Sequence, residues 1–157
     1  MIRPMAKTDR AKVLEIIKRT GFFRPDEIRV AEELIDIYLD QPGQRDYQIV
    51  VVEDEKPEVV GYLTYGPTPL TEGTYDLYWM AVAPEHQGKG YGKDLVRWLE
   101  EKIRADKGRM MVIETSSQPK YESTRRFYLN LDYREIARIP DFYGPGDDRV
   151  IYVKRFA

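Results

Sequence analysis

Three glycines in five residues, Gly88, Gly90 and Gly92, separate an aromatic and apolar run (77–84) from an amphipathic one that begins at Asp94. The pattern reads as strand, tight turn, helix. It leaves the turn without side chains at those points, free to take positive φ and to come close to a ligand. The helix that follows directs its unpaired N–H groups, and the positive end of its dipole, back into the turn. Such an arrangement is an anion cradle suited to a pyrophosphate. Lys89 and Lys93 add mobile positive charge at its rim.

Two phosphate-binding motifs fail on spacing. A Walker A loop places Ser or Thr after its glycine–lysine pair to reach Mg²⁺, whereas Gly92-Lys93 is followed by Asp94. A dinucleotide fingerprint needs Gly-x-Gly-x-x-Gly, and counting from Gly88 or from Gly90 leaves the third position without glycine. The run Gln87-Gly88-Lys89-Gly90-Tyr91-Gly92, preceded by Met80-Ala81-Val82-Ala83-Pro84, resembles the coenzyme A pyrophosphate loop of the GNAT superfamily of N-acetyltransferases.

Composition narrows the remaining choices. A chain of 157 residues is long enough for one domain, 1–157, with a core of its own. With 25 basic and 27 acidic residues the net charge is −2, which gives no bias towards nucleic acid or an anionic membrane. The absence of cysteine excludes a disulfide framework, a thiol nucleophile and a cysteine metal site. The single histidine, His86, cannot assemble a histidine-rich metal site; it reads as a solvated turn residue, with a catalytic role as the other reading. No apolar run approaches the ~20 residues that span a bilayer, and residues 1–7 lack the apolar core of a signal peptide. The expectation is a cytoplasmic protein with no metal, no nucleic-acid partner and no membrane association.

In chain order, residues 2–5 read as a short edge strand, where proline is tolerated. Thr8 or Asp9 is placed to cap a helix that ends at Gly21, and Pro25 opens a second helix that ends at Pro42-Gly43. Phe22 and Phe23, in the link between them, read either as a hydrophobic staple or as the wall of a pocket. Residues 47–53, 58–66 and 74–83 are strands joined by short turns, hence consecutive antiparallel partners. The helix after the glycine turn leads to a strand at 109–115, and this crossover makes that strand parallel to, and beside, the strand at 74–83. Pro119 opens a further helix. Residues 133–139, a turn-rich stretch 140–148 and a strand 150–154 form a long hairpin.

That order is the one the GNAT resemblance implies: an α+β three-layer fold with a mixed, mostly antiparallel central sheet, one parallel splayed strand pair, and helices on both faces. The resemblance covers 47 to the C-terminus well and is only topological before it. It implies an enzyme that transfers an acetyl group from acetyl-CoA to a primary amine by direct attack in a ternary complex. Carried onto this chain, Met80, Ala81 and Val82 would pair with the pantetheine arm, and Gln87, Gly88, Lys89, Gly90, Tyr91, Gly92 and Lys93 would hold the pyrophosphate. Glu114 would be the general base, with Asp76 and Tyr78 in reserve, or would only hold a loop backbone. Tyr128 would be the general acid, although Tyr121, Thr124 and Asp132 depart from the family's usual Asn, Ala and Gly. Phe22, Phe23, Tyr143 and Asp147 would line the acceptor pocket; Gly144-Pro145-Gly146-Asp147 also reads simply as good turn chemistry. The acceptor is left open between a small-molecule amine and a peptide amine, and a homodimer is left open. A non-catalytic acyl-CoA-binding module, or a peptide N-terminal acetyltransferase, stands as the alternative.

Overall fold

The computed structural model describes residues 1–156. Among them a seven-stranded sheet runs β1-β2-β3-β4-β5-β7-β6, built from β1 (Ile2–Pro4), β2 (Gln48–Glu53), β3 (Val59–Pro67), β4 (Thr74–Val82), β5 (Met110–Ser116), β6 (Arg134–Gly144) and β7 (Asp147–Arg155). Only β4 and β5 pair in parallel, as a crossover through a helix requires. Helices α1 (Arg10–Arg19) and α2 (Pro25–Asp40) cover one face; α3 (Tyr91–Ala105) and α4 (Glu122–Asn130) cover the other. No helix among the described residues is long and apolar enough to cross a membrane.

Coverage of both faces explains the strand composition. In β2, Ile49 and Val51 pack under α1 and α2, while Val50 and Val52 pack under α3, so the strand is a continuous apolar run without alternation. Helix α3 lays Leu95, Val96, Leu99 and Ile103, all fully buried, on β3 and β4. Burial on that scale, about 1.5–3 kcal/mol for each side chain, fixes the N-terminus of α3 at the end of β4.

Two sequence expectations are corrected. A 3-10 turn at Lys7–Asp9 precedes the first helix, and Asp9, which stands at the N-cap position of α1, makes no capping hydrogen bond with its side chain. The Asp9 carboxylate instead accepts from the Ala6 N–H at 2.8 Å and from Arg3 at 2.7 and 3.0 Å, and Arg3 also donates to Glu53 at 2.7 Å. A half-buried guanidinium partner is worth more to the buried Asp9 than another helix N–H. Likewise the stretch 140–148 is mostly strand: β6 continues to Gly144, and only residues 145 and 146 turn. Irregular pairing between Ile139 and Gly144, with Asp141 at φ 55°, absorbs the proline and the glycine that made it look like a loop.

The Arg3–Asp9–Glu53 cluster sets an acid limit on stability. The Arg3 hydrogen bonds hold the Asp9 carboxyl below its ordinary value. Its contribution is therefore complete above the unfolded carboxylate value of about 4 and is lost as pH falls through the lower folded value. Asp9→Asn is expected to lower unfolding free energy by about 1.5–3 kcal/mol at pH 7, with the deficit shrinking at pH 3. Urea titrations of both proteins at the two pH values measure it.

Candidate active site

The site forms where β4 and β5 part. Their parallel pairing runs from Thr74↔Met110 to Leu77↔Ile113 and stops. At that point β4 carries a bulge: Tyr65 faces Leu77 and Thr64 faces Trp79, so Tyr78 has no partner on β3. An extra residue bends a strand and raises its twist, which turns the second half of β4 away from β5. It also shifts the side-chain alternation: Leu77 packs towards α3, but Trp79 packs towards α1 and α2.

Beyond the bulge, one edge of β4 is bare. The Ala83 N–H donates to Val60 at 2.8 Å, and neighbouring residues of an antiparallel strand face opposite ways. Ala81 and Ala83 therefore turn their peptide groups to β3, while Met80 and Val82 turn theirs into the gap. The Val82 carbonyl is already engaged, accepting from the Gln87 side chain at 3.1 Å. Gln87 thus ties the glycine turn to the strand.

The turn itself is a row of unused donors. Gly88 and Gly90 sit at φ 75° and 94°, and the first bond of α3 runs from the Asp94 N–H to the Gly90 carbonyl at 2.9 Å. The N–H groups of residues 88 to 93 have no acceptor among the described residues. Six successive donors at a helix N-terminus are an anion site by geometry and by dipole. Lys93 lines the cleft beside them, and Lys89 is exposed outside the lining.

Bare strand edge and cradle open into one cleft of about 870 Å³, a volume typical of small-ligand sites. It reaches Tyr128 on α4, Glu114 on β5, and the opposite end at Phe22, Phe23, Tyr143 and Asp147, so those sequence candidates come together in one space. Tyr128 is 4% exposed, packed edge-on against Phe127 and Tyr133. Burial pushes its phenol well above the ordinary value, so its proton is held throughout the physiological range. Behind it the Tyr133 hydroxyl and Lys154 both donate to buried Glu100, at 2.8 and 3.0 Å, fixing the ring's backing to α3.

Glu114 alternates with buried Met111, Ile113 and Thr115 and faces the cleft. It is ion-paired to Arg149 of β7, whose guanidinium also lies over the Phe142 ring at 4.9 Å. Of the reserves, Asp76 accepts from the Thr68 hydroxyl at 2.7 Å, and burial, aided by Asp76, pushes the Tyr78 phenol up to about 12. His86 is not a solvated turn residue. It lines the cleft with its ring edge-on to Tyr91, Nε2 3.5 Å from Asp54, and Nδ1 buried without a partner.

At the far end Phe23 packs on Trp79 and Phe22 on Tyr121, with ring centroids 5.3 and 5.8 Å apart. Tyr121 and Lys120 both donate to the Phe22 carbonyl, at 2.9 and 3.0 Å. The two phenylalanines are thus cleft wall, and the link carrying them is latched to the turn before α4. Trp79 and Ser116 went unnoticed in sequence, and Tyr121 was named only as a departure from the family's Asn, because what brings each to the cleft is sheet register or loop packing; Arg149, which reaches it through Glu114, was missed for the same reason.

A family model for the acetyltransferase (GNAT) domain matches residues 45–135. The chain belongs to the GNAT acetyltransferase family. A GNAT-family protein of Desulfovibrio desulfuricans is 41% identical, with a TM-score of 0.93 over 100% of this chain and 99% of its own. An aminoglycoside 6'-N-acetyltransferase, solved in complex with coenzyme A, shares the fold at 17% identity and TM-score 0.75, over 99% of this chain and 96% of that one. So does the ribosomal-protein-S18-alanine N-acetyltransferase of Escherichia coli, at 17% identity and TM-score 0.77, over 100% and 94%. Among curated proteins none matches the chain by sequence. The matched segment of this GNAT member runs from before β2 into β6 and so contains the bulge, the glycine turn, Glu114 and Tyr128. The aromatic wall at Phe22 and Phe23 and the residues Tyr143 and Asp147 lie outside it.

Proposed function

We propose that this GNAT chain transfers an acetyl group from acetyl-CoA to a primary amine, as a cytoplasmic enzyme in which residues 1–157 act as one catalytic domain. The observation that carries the reading is the run of six unpaired N–H groups at 88 to 93, continuous with the bare edge of β4 at Met80 and Val82. A diphosphate fits the first and an extended amide-bearing arm fits the second. The likeness in fold to an acetyltransferase solved with coenzyme A is in keeping with it.

When bound, acetyl-CoA supplies an activated acyl group as a thioester. The chain's own residues do the rest. Gln87 holds the glycine turn against Val82, Gly88 to Lys93 grip the diphosphate, and Met80, Ala81 and Val82 align the arm. The free N–H of Val82 offers a fixed donor where negative charge develops on the acyl oxygen, an effect typically worth about 3–4 kcal/mol of barrier. Glu114 takes the proton that an acceptor ammonium must lose before its lone pair can attack. Arg149 restrains that carboxylate in the cleft. Tyr128, neutral and buried, gives its proton to the departing sulfur. The acceptor attacks the acyl carbon directly, as the family likeness implies, and the chain has no cysteine thiol to carry the acyl group. Phe22, Phe23, Tyr143 and Asp147 receive the acceptor.

Incubation with acetyl-CoA and a panel of amines and short peptides, following free thiol, tests the reading. Glu114→Gln is expected to lower kcat by about 100-fold with coenzyme A affinity retained. Tight coenzyme A binding with no thiol released by any amine would leave only an acyl-CoA-binding module.

A further inference from the structure

The acceptor end of the cleft contains a carboxylate without a counter-ion. Asp147, the first residue of β7, is 6% exposed. One carboxylate oxygen accepts from the Ser116 hydroxyl at 2.5 Å; the other has no partner, and no Lys or Arg pairs with the group among the described residues. The nearby cations are committed elsewhere. Arg149 pairs with Glu114, Arg24 with Asp26 and Glu27, the Lys120 ammonium donates to the Phe22 carbonyl, and Arg125 donates to the Ser116 and Gln118 carbonyls and not to Asp147. A buried carboxylate with one free oxygen on the cleft wall and no cation paired to it is matched by a ligand that brings a positive charge and an N–H donor. Around it are rings whose faces attract cations: Tyr121, Tyr143 and Phe22 all line the cleft with it. The Tyr121 and Tyr143 phenols, raised first by burial, are both raised further by the charge of Asp147, which places all three groups within electrostatic reach.

We infer that the acceptor carries two cationic nitrogens, one that reacts beside Glu114 and a second that stays charged between Asp147 and the tyrosines. The inference rests on the acetyl-transfer reading above and specifies its substrate class. The two roles cannot fall on one nitrogen. Asp147 favours an ammonium that keeps its proton, whereas attack on the acyl carbon needs a free lone pair. The sheet separates them. Ser116, which holds Asp147, lies two residues beyond Glu114 on the same face of β5, a step of about 6.6 Å. An aliphatic chain of about four or five carbons spans that step, so the acceptor class is a short terminal diamine or a longer polyamine ending in one. Transfer forms the amide at the first nitrogen, whose proton leaves through Glu114, breaks the C–S bond, and leaves the second nitrogen as it entered.

The test compares kcat/KM for 1,4-diaminobutane and 1,5-diaminopentane with that for 4-amino-1-butanol and butylamine, which match in length but lack the second charge. The diamines are expected to lead by about tenfold or more, through KM. In Asp147→Asn the diamine-to-monoamine ratio is expected to fall to near one, and Asp147→Glu to restore part of it. Titration of each variant with coenzyme A, at the opposite end of the cleft, verifies its fold. Equal use of aminobutanol and diaminobutane by the wild type overturns the inference, as does a ratio unchanged in Asp147→Asn, or a singly charged peptide amine that outruns both diamines. Butylamine turnover without a diamine preference leaves acetyl transfer standing and removes only the second-charge assignment. Silence from every amine removes both.

Discussion

Tyr128→Phe is expected to lower kcat by about 100- to 1000-fold, the range of a lost general acid, while the dissociation constant for coenzyme A stays near the wild-type value. The substitution removes one oxygen from a side chain whose ring is packed against Phe127, Tyr133 and Tyr152, so its shape is kept. The hydroxyl itself has no protein partner among the described residues, so no buried acceptor is orphaned and stability should change little. What disappears is the phenol proton, held by burial at neutral pH, that borders the cleft on the α4 side. Stopped-time thiol assays with saturating acetyl-CoA, beside calorimetric titration with coenzyme A, separate the two parameters. An equal fall in affinity and kcat would make Tyr128 a binding wall, and an unchanged kcat would assign the proton to water. In the wild type no alkaline loss of kcat from this phenol is expected up to pH 10, because its raised pKa keeps it protonated while an ordinary tyrosine ionises.

Glu114 and Tyr128 illustrate how far the residues alone carry such a site. The strand at 109–115 was legible, but its run Met110-Met111-Val112-Ile113 is apolar throughout, and only the burial of Met111, Ile113 and Thr115 puts Glu114 on the face opposite α3. The helical spacing that buries Leu95, Val96, Leu99 and Ile103 was equally plain, and with it the crossover that makes β4 and β5 parallel. What turns a parallel pair into a cleft was not. The bulge at Tyr78 lies inside an unbroken apolar run, with no glycine or proline to mark it, because it arises from the pairing of two whole strands. Arg149 escaped notice for the same reason: thirty-five residues separate it from Glu114, and only the β5–β7 register joins them. His86 looked solvated because it sits beside the glycine turn, yet the 3-10 turn at Pro84–His86 rotates its ring inward against Tyr91. Local chemistry fixes elements and their faces; contacts between distant strands shape the space between them.

Gly90→Val is expected to weaken coenzyme A binding by about 100-fold or more, with the fold intact. A Cβ at this position would meet nothing within 4 Å, so crowding is not the reason. The backbone is: Gly90 sits at φ 94°, ψ −2° as the residue before α3, a conformation that a β-branched residue holds only at a cost of about 1–3 kcal/mol. Relaxation of that strain rotates the peptide planes on either side and turns the Gly90 and Tyr91 N–H groups out of line with their neighbours. Hydrogen bonds to a charged group contribute about 1.5–3 kcal/mol each, so loss of two corresponds to at least a 100-fold rise in dissociation constant. Helix α3 stays docked through Leu95, Val96, Leu99 and Ile103, so thermal unfolding should move by only a few degrees. Gly92→Ala provides the contrast. Gly92 is not at positive φ, and an added Cβ would touch Phe127 at 3.5 Å and Val82 at 3.9 Å, ordinary contacts. Alanine there should raise the melting temperature slightly, since it suits the first turn of a helix better by up to about 1 kcal/mol. Wild-type affinity in Gly90→Val, at unchanged melting temperature, would mean that the diphosphate does not lie on these amides.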